Sequence, residues 1–192
     1  MMNIYLCGPL GWKRAEYLYR KNEDAIKARF AGFFLRRFEN IGSEMIQADR
    51  AVSCSMTKPF AGKVFIKETA EGGLAGALWD LAEEAGCGLE VKAELIPVHQ
   101  EIIEIMELFA EEPYECPSAG CIVIFAKCRE DADDICIRAG SHAGPVYIGR
   151  CTDTGARKII LKGGERYLTP KKRRMKDISD RRLHTQKTTV QK

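Results

Sequence analysis

Long apolar runs are missing from this 192-residue chain. None approaches the ~20 residues that a helix needs to cross a bilayer. The opening, MMNIYLCGPLGW, is broken too early by Gly8-Pro9 to read as a secretory signal. Cytoplasmic localisation is the expectation that follows. Histidine is scarce, with only His99, His142 and His184. The eight cysteines, at positions 7, 54, 87, 116, 121, 128, 136 and 151, contain no Cys-x-x-Cys pair. That leaves little material for a zinc site, so no metal ligand is assigned. The thiols are read as reduced, and Cys121, Cys128 and Cys136 as small hydrophobes on apolar segments.

One-signed charge is also lacking over most of the chain. Residues 170–192 hold nine Lys/Arg and two Asp, a net +7, whereas the remainder is −4. The body is mildly acidic, which argues against a folded nucleic-acid binder. The expected organisation is a domain over 1–169 and a basic disordered tail over 170–192. The tail would attract polyanions only non-specifically.

What is present is a regular alternation of strand and helix patterns. Asn3-Ile4-Tyr5-Leu6-Cys7 reads as a strand ended by Gly8-Pro9-Leu10-Gly11. Residues 12–53 read as helices, with Ile26, Phe30, Phe33, Phe34, Phe38, Ile41 and Met45 as one apolar stripe in which Gly32 and Gly42 are candidate interruptions. Residues 57–62 read as a connector. Leu74, Ala77, Leu78, Leu81, Ala82 and Ala85 predict a helix over 73–86, and helices are expected over 99–110 and 130–139. Strands are expected at 64–67, 88–93, 121–127, 145–150 and 157–162. Cys121–Ala126 is apolar without alternation, which predicts a strand covered on both faces. Thr152-Asp153-Thr154-Gly155 suggests a hairpin between the last two of these strands. The fold class is therefore α/β: a layered sandwich with helices packed on a mixed sheet.

The chemistry-bearing feature is strand, Gly72-Gly73, helix. Glycines let the backbone approach an anion, and a helix N-terminus offers N–H groups and a positive dipole. No Lys-Ser/Thr follows Gly73, so this is not a Walker loop. Glu83, Glu84, Glu101, Glu104, Glu111 and Glu112 read as solvated helix faces, with no pair placed for acid–base work. His99 reads as a cap or surface residue, and His142 as a loop residue. Trp12 and Trp79 read as packing or interface residues.

The run EGGLAGALWDLAEEAGCGLEV, then Ile96-Pro97-Val98, Ser118-Ala119-Gly120 and Tyr147-Ile148-Gly149-Arg150 resembles the C-terminal domain of the aminoimidazole ribonucleotide (AIR) synthetase superfamily. Its hydrogenase-maturation-like branch is the nearest in appearance, and the likeness extends over about residues 3–168. The resemblance implies a stand-alone AIR synthetase-type C-terminal domain. Such a domain binds a phosphate-bearing ligand weakly, or supplies half of a nucleotide site completed by another chain. Alternatives are an ATP-dependent phosphoryl-transfer or hydrogenase-maturation-type enzyme, or a non-catalytic interaction protein that uses its tail. Thr69, Glu71, Gly72 and Gly73 would face phosphate, and Glu68 is the candidate acid beside a metal. No catalytic residue is assigned. ATP with Mg is implied only if a partner supplies the N-terminal half; the partner expected is a homodimer mate or a separate chain of N-terminal-domain type. Two departures stand out: Glu68 replaces the family's aspartate, and Ala70 its hydroxyl residue. The chain also ends Thr188–Lys192 without the cysteine that cyanide chemistry in that branch uses, so this chemistry is not expected.

Overall fold

A strand that is apolar at every position must lose water on both sides. The computed structural model, which describes residues 1–46, 63–70, 72–141 and 144–169, meets that demand with a mixed sheet covered on two faces. Among the described residues the strands are β1 (Asn3–Cys7), β2 (Phe65–Thr69), β3 (Gly88–Lys92), β4 (Ser118–Ala126), β5 (Val146–Thr152), β6 (Arg157–Leu161) and β7 (Gly164–Tyr167). The helices are α1 (Trp12–Lys21), α2 (Glu23–Arg29), α3 (Gly32–Ile41), α4 (Gly73–Ala85), α5 (Gln100–Glu107) and α6 (Arg129–Arg138). Strand order is β2-β4-β1-β5-β3-β6-β7. All pairs are antiparallel except β3 with β6. The expected mixed α/β sandwich is what forms.

Three cores follow from this topology. On one face of the sheet, Leu74, Ala77, Leu78, Leu81 and Ala82 of α4 pack on Ile4, Leu6, Leu89, Val91, Val123, Phe125 and Ile148. The i, i+3, i+4 spacing that predicted this helix is the stripe that is buried. Gly86 ends it in the left-handed region, at φ 65°. On the other face, Ala132, Ile135 and Cys136 of α6 cover Tyr5, Cys7, Ile122 and Ile124. Ile122, Val123, Ile124 and Phe125 are all fully buried, so β4 is covered on both faces as expected. A third cluster joins α1, α2, α3 and α5 through Trp12, Leu18, Ile26, Phe38, Ile41, Ile102, Ile105 and Met106.

The structure corrects three expectations. The 146–148 and 159–161 segments do not form a hairpin, because β3 lies between them. Gly88 permits this arrangement: a Cβ there would lie 2.5 Å from the Ala156 carbonyl. Its absence lets residues 153–156 cross over the start of β3, where Leu89 N–H donates to Ala156 O at 2.8 Å. The hairpin occurs one strand later, between β6 and β7, with Leu161 opposite Gly164. The aromatic stripe is also broken. The chain is extended at Phe30 and Ala31, so α2 and α3 are separate helices, and Phe33 turns out to solvent at 62% exposure. Glu101 is not a solvated carboxylate: it is 4% exposed and ion-paired to Arg37 at 2.8 Å. The expectations for 47–62, for His142 and for the tail from 170 lie outside the described residues.

No described helix is long and apolar enough to cross a membrane.

Candidate functional site

Four segments meet where β1 and β2 end and β4 begins. They are the Gly8–Gly11 turn, the Glu68–Thr69 end of β2, the Gly72-Gly73 start of α4, and residues 111–120. Their junction depends on two glycines of different kinds. Gly8, at φ 93°, has no room for a side chain, because a Cβ would stand 2.3 Å from the Gly120 carbonyl. Gly73, at φ 60°, is pressed just as closely: a Cβ would lie 2.6 Å from Tyr114 O and 2.9 Å from Cys116 O.

A register shift between β2 and β4 gives the junction its polar content. Glu68 stands opposite Ile122, but Thr69 stands opposite Ser118, so residues 119–121 bulge out of the ladder. The bulge turns the Gly120 N–H toward Glu68, which accepts it on Oε1 at 2.9 Å. The Thr69 hydroxyl is fully buried, 2.8 Å from Ser118 O and 3.1 Å from Cys121 O. Ser118 Oγ accepts the Gly11 N–H at 2.7 Å and lies 3.2 Å from Cys116 O, which it can donate to. A buried network this complete fixes geometry, since each polar atom would be costly unpaired.

Of the candidate site residues, Glu68, Thr69, Gly72 and Gly73 are thus brought together, and Glu71 lies outside the described residues. Gly72 caps α4 at φ 89°. The Gly73 N–H donates to Ala70 O at 3.2 Å and the Leu74 N–H to Tyr114 O at 3.1 Å. Two donors of the first turn are therefore already engaged. Lys67 turns to the other side of β2 and pairs with Asp80 at 2.8 Å. Ser118 and Gly120 were visible in the sequence only as part of the Ser118-Ala119-Gly120 motif of the family resemblance; the bulge that gives them work has no sequence period of its own.

Sequence reasoning also missed the group that holds the 111–117 loop. Arg14 reaches from α1 to grip both oxygens of Glu111, with Nε 2.6 Å from Oε2 and Nη2 on Oε1. The two residues are 97 apart, so no local pattern announces the pair. This bidentate contact holds the Glu111 carboxyl below its ordinary range and raises Arg14. The Cys116 thiol lies 3.6 Å from Glu111 Oε2. Burial, and then the nearby carboxylate, push it up to about 11. At neutral pH it is a thiol and a poor nucleophile. Seven described cysteines are free, and no described cluster of His, Cys, Asp or Glu could hold a metal.

The Arg14–Glu111 pair makes an acid-stability prediction. Glu111 titrates below the ordinary value of 4.5, so its stabilising contribution is complete above that value. It is lost as pH falls through the lowered value. Arg14→Gln removes the depression. The variant's urea midpoint, followed from about pH 6 to about pH 3, should fall less steeply below 4.5 than that of the parent chain. Parallel curves would mean that the ion pair contributes nothing.

No family profile matches the chain. An 85-residue stretch, 44% of this chain and 24% of the relative, is 29% identical to carbamoyl dehydratase HypE of Rhodobacter capsulatus. Among solved structures, HypE of E. coli matches with a TM-score of 0.64 and 18% identity, over 90% of this chain and 51% of that one. The hydrogenase maturation protein HypE in complex with ATP matches with a TM-score of 0.61 and 16% identity, over 88% and 50%. Thiamine monophosphate kinase of Aquifex aeolicus matches with a TM-score of 0.50 and 17% identity, over 86% and 51%. This chain thus spans about half the length of those structures. Its fold is the one seen in these HypE structures.

Proposed function

We propose that this chain contributes one half of a nucleotide-phosphate site, and that a second copy or a separate partner chain of N-terminal-domain type completes it. The observation that carries the reading is the turn from β2 to α4. Two successive glycines with positive φ open α4 directly after β2, and the Glu68 carboxylate at the end of that strand is held by the Gly120 N–H. The likeness in fold to a protein solved with ATP supports the same reading.

Roles follow from the positions. Gly72 and Gly73 are assigned to phosphate contact, and Glu71 keeps the same assignment from the family resemblance. Thr69 does not reach the ligand itself; its buried hydroxyl anchors the end of β2. Glu68 would hold the magnesium of a Mg-bound phosphate through its second carboxylate oxygen, since Oε1 is held by Gly120. Magnesium would supply the charge neutralisation that the turn lacks, because Lys67 is engaged with Asp80.

Affinity should be low for the chain by itself. Gly73 and Leu74 have already given their N–H groups to chain carbonyls, and Glu68 repels an uncomplexed phosphate. A Kd nearer millimolar than micromolar is expected, on the order of −4 to −6 kcal/mol. Titration with ATP, ADP and inorganic phosphate, with and without Mg, should shift the Gly72, Gly73 and Leu74 amides first, and more with Mg. If those amides stay fixed under every condition, the turn is a packing device and the proposal fails. Phosphate release from ATP by the purified chain would replace this reading with that of an enzyme complete in itself.

A further inference from the structure

A second surface, made of none of the residues of the β2–α4 turn, has the chemistry of a docking site. A groove of about 390 Å³ runs between the α2–α3 corner and α5, walled by Phe30, Phe33, Phe34, Arg29, Arg37 and Glu101 among others. Phe30 and Phe34 stack face to face, with ring centroids 4.3 Å apart and planes 9° apart. Beside them Phe33 is 62% exposed, an unusual position for a phenylalanine that has a packed core one turn away.

The polar groups around these rings are not arranged at random. Glu101 is 4% exposed and takes Arg37 Nε at 2.8 Å. A buried carboxylate therefore pairs with the Nε of an arginine whose side chain is itself 68% exposed. Guanidinium has five N–H donors, and the Nη edge remains for an external acceptor. Arg29, at the other end of the same groove, has no ion-pair partner among the described residues, and neither does exposed Arg36. Two arginines, one of them held in place, thus flank an apolar groove.

We propose that this groove docks a protein segment that inserts one aromatic or aliphatic side chain between Phe33 and the Phe30–Phe34 pair and sets an aspartate or glutamate on Arg29 and Arg37. Charge complementarity selects the occupant. The arginines call for an anion, but Glu104 on the α5 wall opposes a polyanion such as a nucleic-acid strand. A single carboxylate beside an apolar anchor satisfies both walls. Hot spots of this type centre on an aromatic contact with arginine beside it.

The probe is a library of random 12-residue peptides displayed on phage and selected against the intact chain. The expected product is enrichment for one aromatic or aliphatic residue within four positions of Asp or Glu. Enriched peptides should lose about tenfold or more in affinity for Phe33→Asp and for Arg29→Glu. Both positions are exposed, so circular dichroism should show both variants folded as the parent chain. Absence of enrichment, or enriched peptides indifferent to both variants, overturns the proposal. Binding of a labelled 12-nucleotide single-stranded RNA that is lost in both variants overturns it in favour of nucleic acid. A sedimenting dimer that Phe33→Asp dissociates overturns it in favour of a second copy of this chain.

Discussion

Gly8→Ala should lower stability by about 2–4 kcal/mol, which for a chain of this size is a fall in Tm of roughly 5–15 °C. Two costs add at this position. The backbone is at φ 93°, where an L side chain costs roughly 1–2 kcal/mol. The new methyl would also meet backbone: Gly120 O at 2.3 Å and Cys121 Cα at 3.0 Å. Neither neighbour is a flexible side chain that can turn aside. The start of β4 must retreat, and with it the Gly120 N–H that holds Glu68. Gly155→Ala separates the two costs. Its φ is 69°, but nothing stands within 4 Å of the added carbon, so only about 1 kcal/mol is expected. Thermal melts of both variants check this. Equal losses would show that the β1–β4 approach is not tight and that conformation alone explains Gly8.

Phe38→Ala should cost about 3–5 kcal/mol. Phe38 is 1% exposed, and its ring centroid lies 4.5 Å from that of Trp12 and 5.5 Å from that of Tyr19. Truncation opens a cavity among α1, α2, α3 and α5, in the cluster that carries no sheet residue. The surroundings cannot close it cheaply, because Gly42 already sits against the Trp12 ring: a Cβ there would lie 2.8 Å from Cζ2. Phe33→Ala is the matched control, since both residues belong to the same apolar stripe in the sequence. Exposed Phe33 should change stability by no more than about 0.5 kcal/mol. Urea denaturation of the two variants decides the matter. A large loss at Phe33 would contradict the break between α2 and α3.

That contrast shows where reading the sequence stops. Period 3.6 located α4 because its apolar residues face one sheet, and the pattern has no competing interruption. The same period ran on through Phe30–Gly32, where Gly32 marks a candidate interruption but nothing in apolar spacing reveals that Phe30 and Ala31 are extended. Strand existence was legible for β1 to β6, and β4 was legible as a two-face strand from its lack of alternation. Pairing was not. β5 and β6 look like a hairpin because the Thr-Asp-Thr-Gly turn is local, whereas the insertion of β3 between them depends on the missing Cβ of Gly88. β7, with Gly164, Glu165, Arg166 and Tyr167 all exposed, has no apolar pattern to find. At the candidate site the glycines were legible as residue types. The β4 bulge, the Arg14–Glu111 grip and the Tyr114 carbonyl over α4 were not, because each is a contact between segments far apart in the chain.

The sheet order carries a consequence for how the chain is made. β1 is a central strand, yet both of its neighbours, β4 and β5, lie far downstream. Synthesis proceeds at about 5–20 residues per second. Ile4, Tyr5 and Leu6 therefore leave the ribosome on the order of ten seconds before either of their native partner strands, β4 and β5, has been made. β6 and β7, joined by a two-residue turn, are the adjacent pair that can zip as soon as it emerges. The nascent chain has to keep an apolar N-terminal segment from competing partners over that interval. Helices α1 to α3 emerge immediately afterwards and are the first native helices available to shelter it, although their core is completed only when α5 follows.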